Sequence, residues 1–164
     1  ALAKEFANHH PNSVSSLACF GGYDINNFDI KMQKKNGVKQ MAMMLKALFS
    51  VKWFAKENKK ISAHTLEAQN EFFDMNILFP KKSFMFLATL NSMINKYKTG
   101  KRNYPLLIGC GSFDIPMELE AVKQWKISEP NCRVVIFENA GHCVNMDVPR
   151  EFNETMEDFW TSAE

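Results

Sequence analysis

Apolar positions fall along the chain in two rhythms, and the places where the rhythm changes divide it into three parts. Near the start, Leu2 and Phe6 stand four apart until Pro11 stops the pattern, which predicts the end of a helix over residues 1–10. Residues 14–20 are a short apolar run closed by Gly21 and Gly22 and read as a strand, with Ser15 and Ser16 inside it. From 23 to 98 the rhythm is helical and broken by polar turns. Helices are predicted over 41–55, over 65–73 with Thr65 as cap, and over 83–97. In the last of these Phe84, Leu87, Leu90, Ile94 and Tyr97 recur at helical spacing, and Gly100 stands just past the end.

Beyond Arg102, strands and helices alternate. Residues 106–110 read as a strand, and 116–127 as a helix opened by Pro116. Glu118 and Glu120 stand in its first turn and Lys123 and Lys126 in its last, the arrangement that suits the helix dipole. Residues 133–137 read as a third strand. Residues 149–160 form an amphipathic helix with Phe152, Met156, Phe159 and Trp160 on one face. This alternation predicts an α/β fold, a short parallel sheet flanked by helices, with a helical region over residues 23–98.

Composition narrows the class. The 164 residues are 46% hydrophobic and 23% charged, which fits one soluble globular domain with a real core. The longest apolar-rich stretch, 41–54, is interrupted by Lys46, Ser50 and Lys52, so no membrane span is expected. Cys19, Cys110, Cys132 and Cys143 show neither C-x-x-C spacing nor a zinc-finger pattern with the four histidines. Free thiols, a cytoplasmic setting and no metal are the expectations. Charge is uneven: residues 1–102 hold 16 Lys and Arg against 7 Asp and Glu, whereas 103–164 hold 4 against 11. No arginine–aromatic clustering accompanies the basic part, so it reads as a solvated helical surface and not as a nucleic-acid site.

The candidate chemistry lies where two strands hand over to loops. Asp114 closes the run from Tyr104 through Gly111-Ser112-Phe113, and His142 closes the run from Arg133 through Ala140-Gly141. A strand-end acid and a strand-end histidine can pair as an orienting carboxylate and a general base. On spacing alone, a capping aspartate and a structural histidine are an equal reading.

The motifs around them carry a resemblance. Gly111-Ser112-Phe113-Asp114, Ala140-Gly141-His142 and Pro149-Arg150-Glu151-Phe152-Asn153 follow one another as in the C-terminal part of the α/β-hydrolase superfamily. The resemblance implies a partial α/β-hydrolase fold, with Asp114 as the triad acid and His142 as the base. It further implies a core formed by residues 1–22 and 99–164 and a lid formed by 23–98. The parent activity it implies is a serine hydrolase acting on carboxylic esters or similar acyl substrates, without a metal or organic cofactor. The lid region holds seven of the ten Met and eight of the fourteen Phe, so a small apolar, uncharged ester is the expected substrate.

One departure is large. The family's nucleophile sits on a Gly-x-Ser-x-Gly elbow, and no such pentapeptide occurs here. Ser112 lies beside the acid. Residues 1–20 resemble the helix that follows the elbow and the next strand, so the expectation is a chain that opens just after the nucleophile. Such a chain alone is expected to be inactive, since the nucleophile and the oxyanion-hole donors would both be missing. Its first strand would present a free edge, open to a missing N-terminal segment or to self-association. A non-catalytic module used in assembly or ligand binding is the alternative.

Other candidates carry less. Cys143 follows His142 directly, but neighbouring residues point apart, so it reads as a packed thiol. Gly109-Cys110-Gly111 lacks the lysine of a phosphate loop. His9 and His10 read as surface residues at a helix end, and His64 has no partner at ligand spacing.

Overall fold

Apolar runs without polar alternation make strands covered on both faces. The computed structural model describes residues 1–27, 46, 47, 49–80, 83, 94 and 102–162. In it β1 (Leu17–Phe20), β2 (Leu106–Gly111) and β3 (Arg133–Phe137) form one parallel sheet in the order β1-β2-β3. Leu17 pairs with Leu106 and Phe20 with Gly109, while Leu107 pairs with Arg133 and Gly111 with Phe137. The central strand β2 is buried at every position.

β1 begins three residues later than its apolar run suggests. Pro11–Ser13 form a single 3-10 turn, and Ser15 and Ser16 precede the strand instead of lying in it. Pairing sets this start, because Leu17 N donates to Pro105 O at 3.0 Å where β2's side of the ladder begins.

Helices cover both faces of β2, whereas β3 leaves Val134 and Ile136 exposed. Alternate residues of β2 point to opposite sides. Leu106, Ile108 and Cys110 pack with Val122 and Trp125 of α4 (Pro116–Ser128) and with Ala7 of α1 (Leu2–His9). Leu107 points the other way, to Met156 and Phe159 of α6 (Pro149–Thr161). Phe152 of α6 completes an aromatic cluster, its ring centroid 5.0 Å from that of Phe20 and 6.0 Å from that of Phe137. Trp160, expected on this face, is 56% exposed. A helix turns about 100° per residue, so burying Phe159 rotates its neighbour outward.

α1 also departs from its sequence pattern. Leu2 and Phe6 face outward, and Lys4 is buried in their place. Glu129 makes that burial tolerable by facing Lys4 Nζ at 3.5 Å and Arg102 Nε at 2.9 Å, with the Trp125 ring 6.0 Å from the ammonium.

Between β1 and β2 the chain forms α2 (Val51–Ser62) and α3 (Leu66–Ile77), which pack on each other. Of the helix expected over 41–55, residues 41–45 and 48 lie outside the described residues and 46, 47 and 49 are helical; the break falls at Ser50, whose side chain accepts from Trp53 N at 3.2 Å and starts α2. Thr65 caps α3 as expected, its Oγ1 accepting from Ala68 N at 3.3 Å. The helix expected over 83–97 lies outside the described residues except for Ser83 and Ile94, as do residues 28–45. A short α5 (Val144–Asp147) links β3's loop to α6. No helix among the described residues is long and apolar enough to cross a membrane, and all four cysteines are free.

Phe137 is fully buried between Phe20 and Phe152. Phe137→Ala should lower unfolding free energy by about 3–5 kcal/mol, read from the midpoint of a urea transition. A loss below about 1 kcal/mol would show that the aromatic cluster is not a core of the sheet.

Candidate active site

Two loops at one rim of the sheet are fastened together. After β2, Ser112 N donates to Phe137 O at 2.8 Å and Phe113 N to Ala140 O at 2.9 Å. Gly111 makes that approach feasible: a Cβ there would stand 2.0 Å from Ala140 O and 2.3 Å from Gly141 O. β3's loop turns at Asn139, which adopts a left-handed φ of 57°.

The fastening brings the two sequence candidates into contact. His142 Nδ1 lies 3.2 Å from Asp114 Oδ1 and 3.3 Å from Oδ2. The Asp114 side chain is wholly buried, whereas that of His142 keeps 39% of its surface exposed. Asp114 is held in turn by Ile115 N, which donates to Oδ1 at 2.8 Å. Gly21, just after β1, closes the site from behind. Its φ is +54°, and a Cβ there would stand 2.8 Å from His142 Cε1, so the backbone lies directly against the imidazole.

Electrostatics follow the geometry. The hydrogen bond to Asp114 is the main reason His142 holds its proton above the ordinary imidazole range; partial burial opposes this, and the charges of Asp114 and Glu118 add to it. Burial raises the Glu118 carboxyl, with His142 pulling it down and Asp114 pushing it up. Glu118 Oε2 has no hydrogen-bond partner among the described residues. The Cys143 thiol is pushed up to about 11, first by burial and then by Asp147 and Asp114. It stays a thiol at neutral pH, as the packed reading requires.

Among the described residues, no hydroxyl or thiol hydrogen-bonds His142, and no group of three or more His, Cys, Asp or Glu side chains could hold a metal ion. His9 reaches Glu5 at 3.5 Å on the surface of α1. His64 is at the site, not remote from it. Its ring stacks on Phe113, next to Asp114, with centroids 3.8 Å apart and planes 11° apart. Glu118, read as a helix-dipole residue, is buried beside the pair. A single acid in a first helical turn gives no signal that separates these roles. His64 lies 78 positions from His142, and only the fold brings it near.

Known structures that superpose on this chain share one fold. A thermophilic esterase from Thermogutta terrifontis superposes with a TM-score of 0.73 at 14% identity, over 99% of this chain and 61% of that one. A carboxylesterase from Nitrososphaera gargenis gives a TM-score of 0.73 at 16% identity, again over 99% and 61%. A 2-hydroxy-6-oxo-6-phenylhexa-2,4-dienoate hydrolase from Rhodococcus gives 0.65 at 10%, over 98% and 60%. These are α/β-hydrolases, and the chain has their fold in partial form. It spans about three-fifths of their length. No family model and no curated protein sequence matches it.

A histidine whose folded pKa is raised contributes stability that is complete below its unfolded value of about 6.5 and is lost as pH rises through the folded value. The urea-unfolding gap between wild type and Asp114→Asn should therefore narrow as pH rises above about 6.5. A gap that is flat over this range would contradict the pairing. Gly111→Ala should destabilise the chain and return His142 toward ordinary imidazole titration, followed by NMR of its Cε1 proton. A stable variant with unchanged titration would show that the loops do not need the close approach.

Proposed function

We propose that this chain supplies the base and the orienting acid of a serine-hydrolase triad, in a protein that cleaves carboxylic esters or similar acyl substrates. The observation that carries this is the contact of His142 Nδ1 with a fully buried Asp114 carboxylate at the ends of neighbouring parallel strands. Asp114 holds one imidazole nitrogen and stabilises the imidazolium. The other nitrogen is left to take a proton from a hydroxyl nucleophile and return it to the leaving alcohol.

The serine and its oxyanion donors are not among these residues. We place them on a segment outside this sequence that pairs along the edge of β1 left uncovered by any described strand, or on a second chain that meets the same edge. The helical insertion, 23–98, serves in this reading as a lid whose Met and Phe side chains favour a small, uncharged, apolar acyl group.

The 164-residue chain alone should not turn over an aryl ester. A polypeptide extended by whatever its gene encodes upstream should do so, with Asp114→Asn lowering kcat about 10⁴-fold and His142→Ala at least as much. Turnover by the 164-residue chain that His142→Ala abolishes would overturn the placement of the nucleophile. Activity of the extended polypeptide that survives His142→Ala would overturn the assignment of the base. An extended polypeptide without any acyl-transfer activity would favour the non-catalytic module.

A further inference from the structure

A carboxylate has room for about four donors, and Asp147 at the end of α5 uses that capacity across three segments. Oδ2 accepts from Gly141 N at 2.8 Å and from His64 N at 2.9 Å. Oδ1 accepts from Thr65 N at 2.7 Å and from Thr65 Oγ1 at 2.9 Å. The acceptor is charged and three of its donors are backbone amides, so these bonds are stronger than neutral ones.

The same corner of chain, between α2 and α3, holds the other side of His142. Ser62 O accepts from Cys143 N at 2.7 Å. The amides of Gly141 and Cys143, the residues on either side of His142, are therefore both tied to residues 62–65, one through Asp147 and one directly. A third tie is the stack of His64 on Phe113, the residue before Asp114. The corner thus touches both loops that carry the candidate pair.

We infer that Asp147 is a positioning residue: its carboxylate locks the α2–α3 corner to the loop of His142 and so fixes how the imidazole meets Asp114. The inference rests on the reading of His142 and Asp114 as base and orienter. If the corner moves, the Gly141 and Cys143 peptides move with it, and the contact at Nδ1 lengthens. The helical insertion would in this way communicate its position to the base without touching the imidazole.

The test is the titration of the His142 Cε1 proton by NMR in the 164-residue chain, with His142→Gln to assign the signal and a urea transition on each variant to confirm folding. The charged groups that bear on His142 are Asp114 and Glu118 on α4, and Asp147 acts on the neighbouring Cys143 thiol, so a variant that keeps Asp147's charge is the cleaner probe of geometry. Thr65→Val removes one donor to Asp147, and with it the cap of α3, and keeps every charge. It should lower the His142 midpoint by about half a unit toward the ordinary value of about 6.5, and Thr65→Ser should restore it. Asp147→Asn should lower it further. A folded Thr65→Val with the wild-type midpoint overturns the inference and leaves Asp147 as an anchor for the insertion. If Thr65→Val does not fold, a folded Asp147→Asn with an unchanged midpoint overturns it equally. Failure of Asp114→Asn to move the midpoint would instead sink the reading of the pair, whatever Asp147 does.

Discussion

The rim of this sheet depends on a backbone approach that tolerates no side chain. Gly111 lies so close to the carbonyls of Ala140 and Gly141 that a methyl group would overlap both. Every feature above that point inherits the constraint. The amides of Ser112 and Phe113 reach across to Phe137 and Ala140, and the two loops then behave as one surface. Asp114 is buried by this closure, and His142 is left with one edge against the acid and part of its ring in the open. Packing density does the rest, because a close-packed interior passes small displacements on and does not absorb them.

Buried charge is distributed around that rim with unequal compensation. Glu129 is shared between Lys4 and Arg102 at the far end of α4, one oxygen facing each cation. Asp114 meets an imidazole and a backbone amide. Glu118 has an oxygen without a described partner, and burial raises its pKa accordingly. Fully paired clusters act as fixed points of the fold, whereas a carboxyl that is poorly paired responds to its surroundings. That contrast separates the Lys4–Glu129 end of the sheet from the end that carries the Asp114–His142 pair.

Much of this was legible in the sequence where local rules operate alone. The strands over 106–110 and 133–137 fall within a residue of their expected places, and Thr65 caps its helix as its hydroxyl suggests. The Asp114–His142 proximity could be anticipated from the order of motifs, though spacing alone left it balanced against a structural pair. What could not be read needed partners distant in the chain. Lys4 is buried because Glu129 and Arg102 come to meet it, and Leu2 and Phe6 are turned outward as a result. β1 starts at Leu17 because Pro105 offers the first acceptor. His64 and Asp147 carry no local signature at all; hydrophobic periodicity says nothing about which backbone amides a carboxylate will gather.

The parallel pairing of β1 with β2 also sets an order of events in folding. Leu17 and Leu106 are 89 positions apart, whereas Leu107 and Arg133, which join β2 to β3, are 26 apart. Loop-closure entropy alone makes the first pairing about 1 kcal/mol harder than the second. The unit β2-α4-β3 can therefore close on itself early, through contacts that are short in sequence. On that cost alone, β1 and the α1 helix before it are expected to join after this unit. The part of the sheet with the least local claim on its neighbours is thus the part that waits, and its late arrival completes the ring of backbone behind His142.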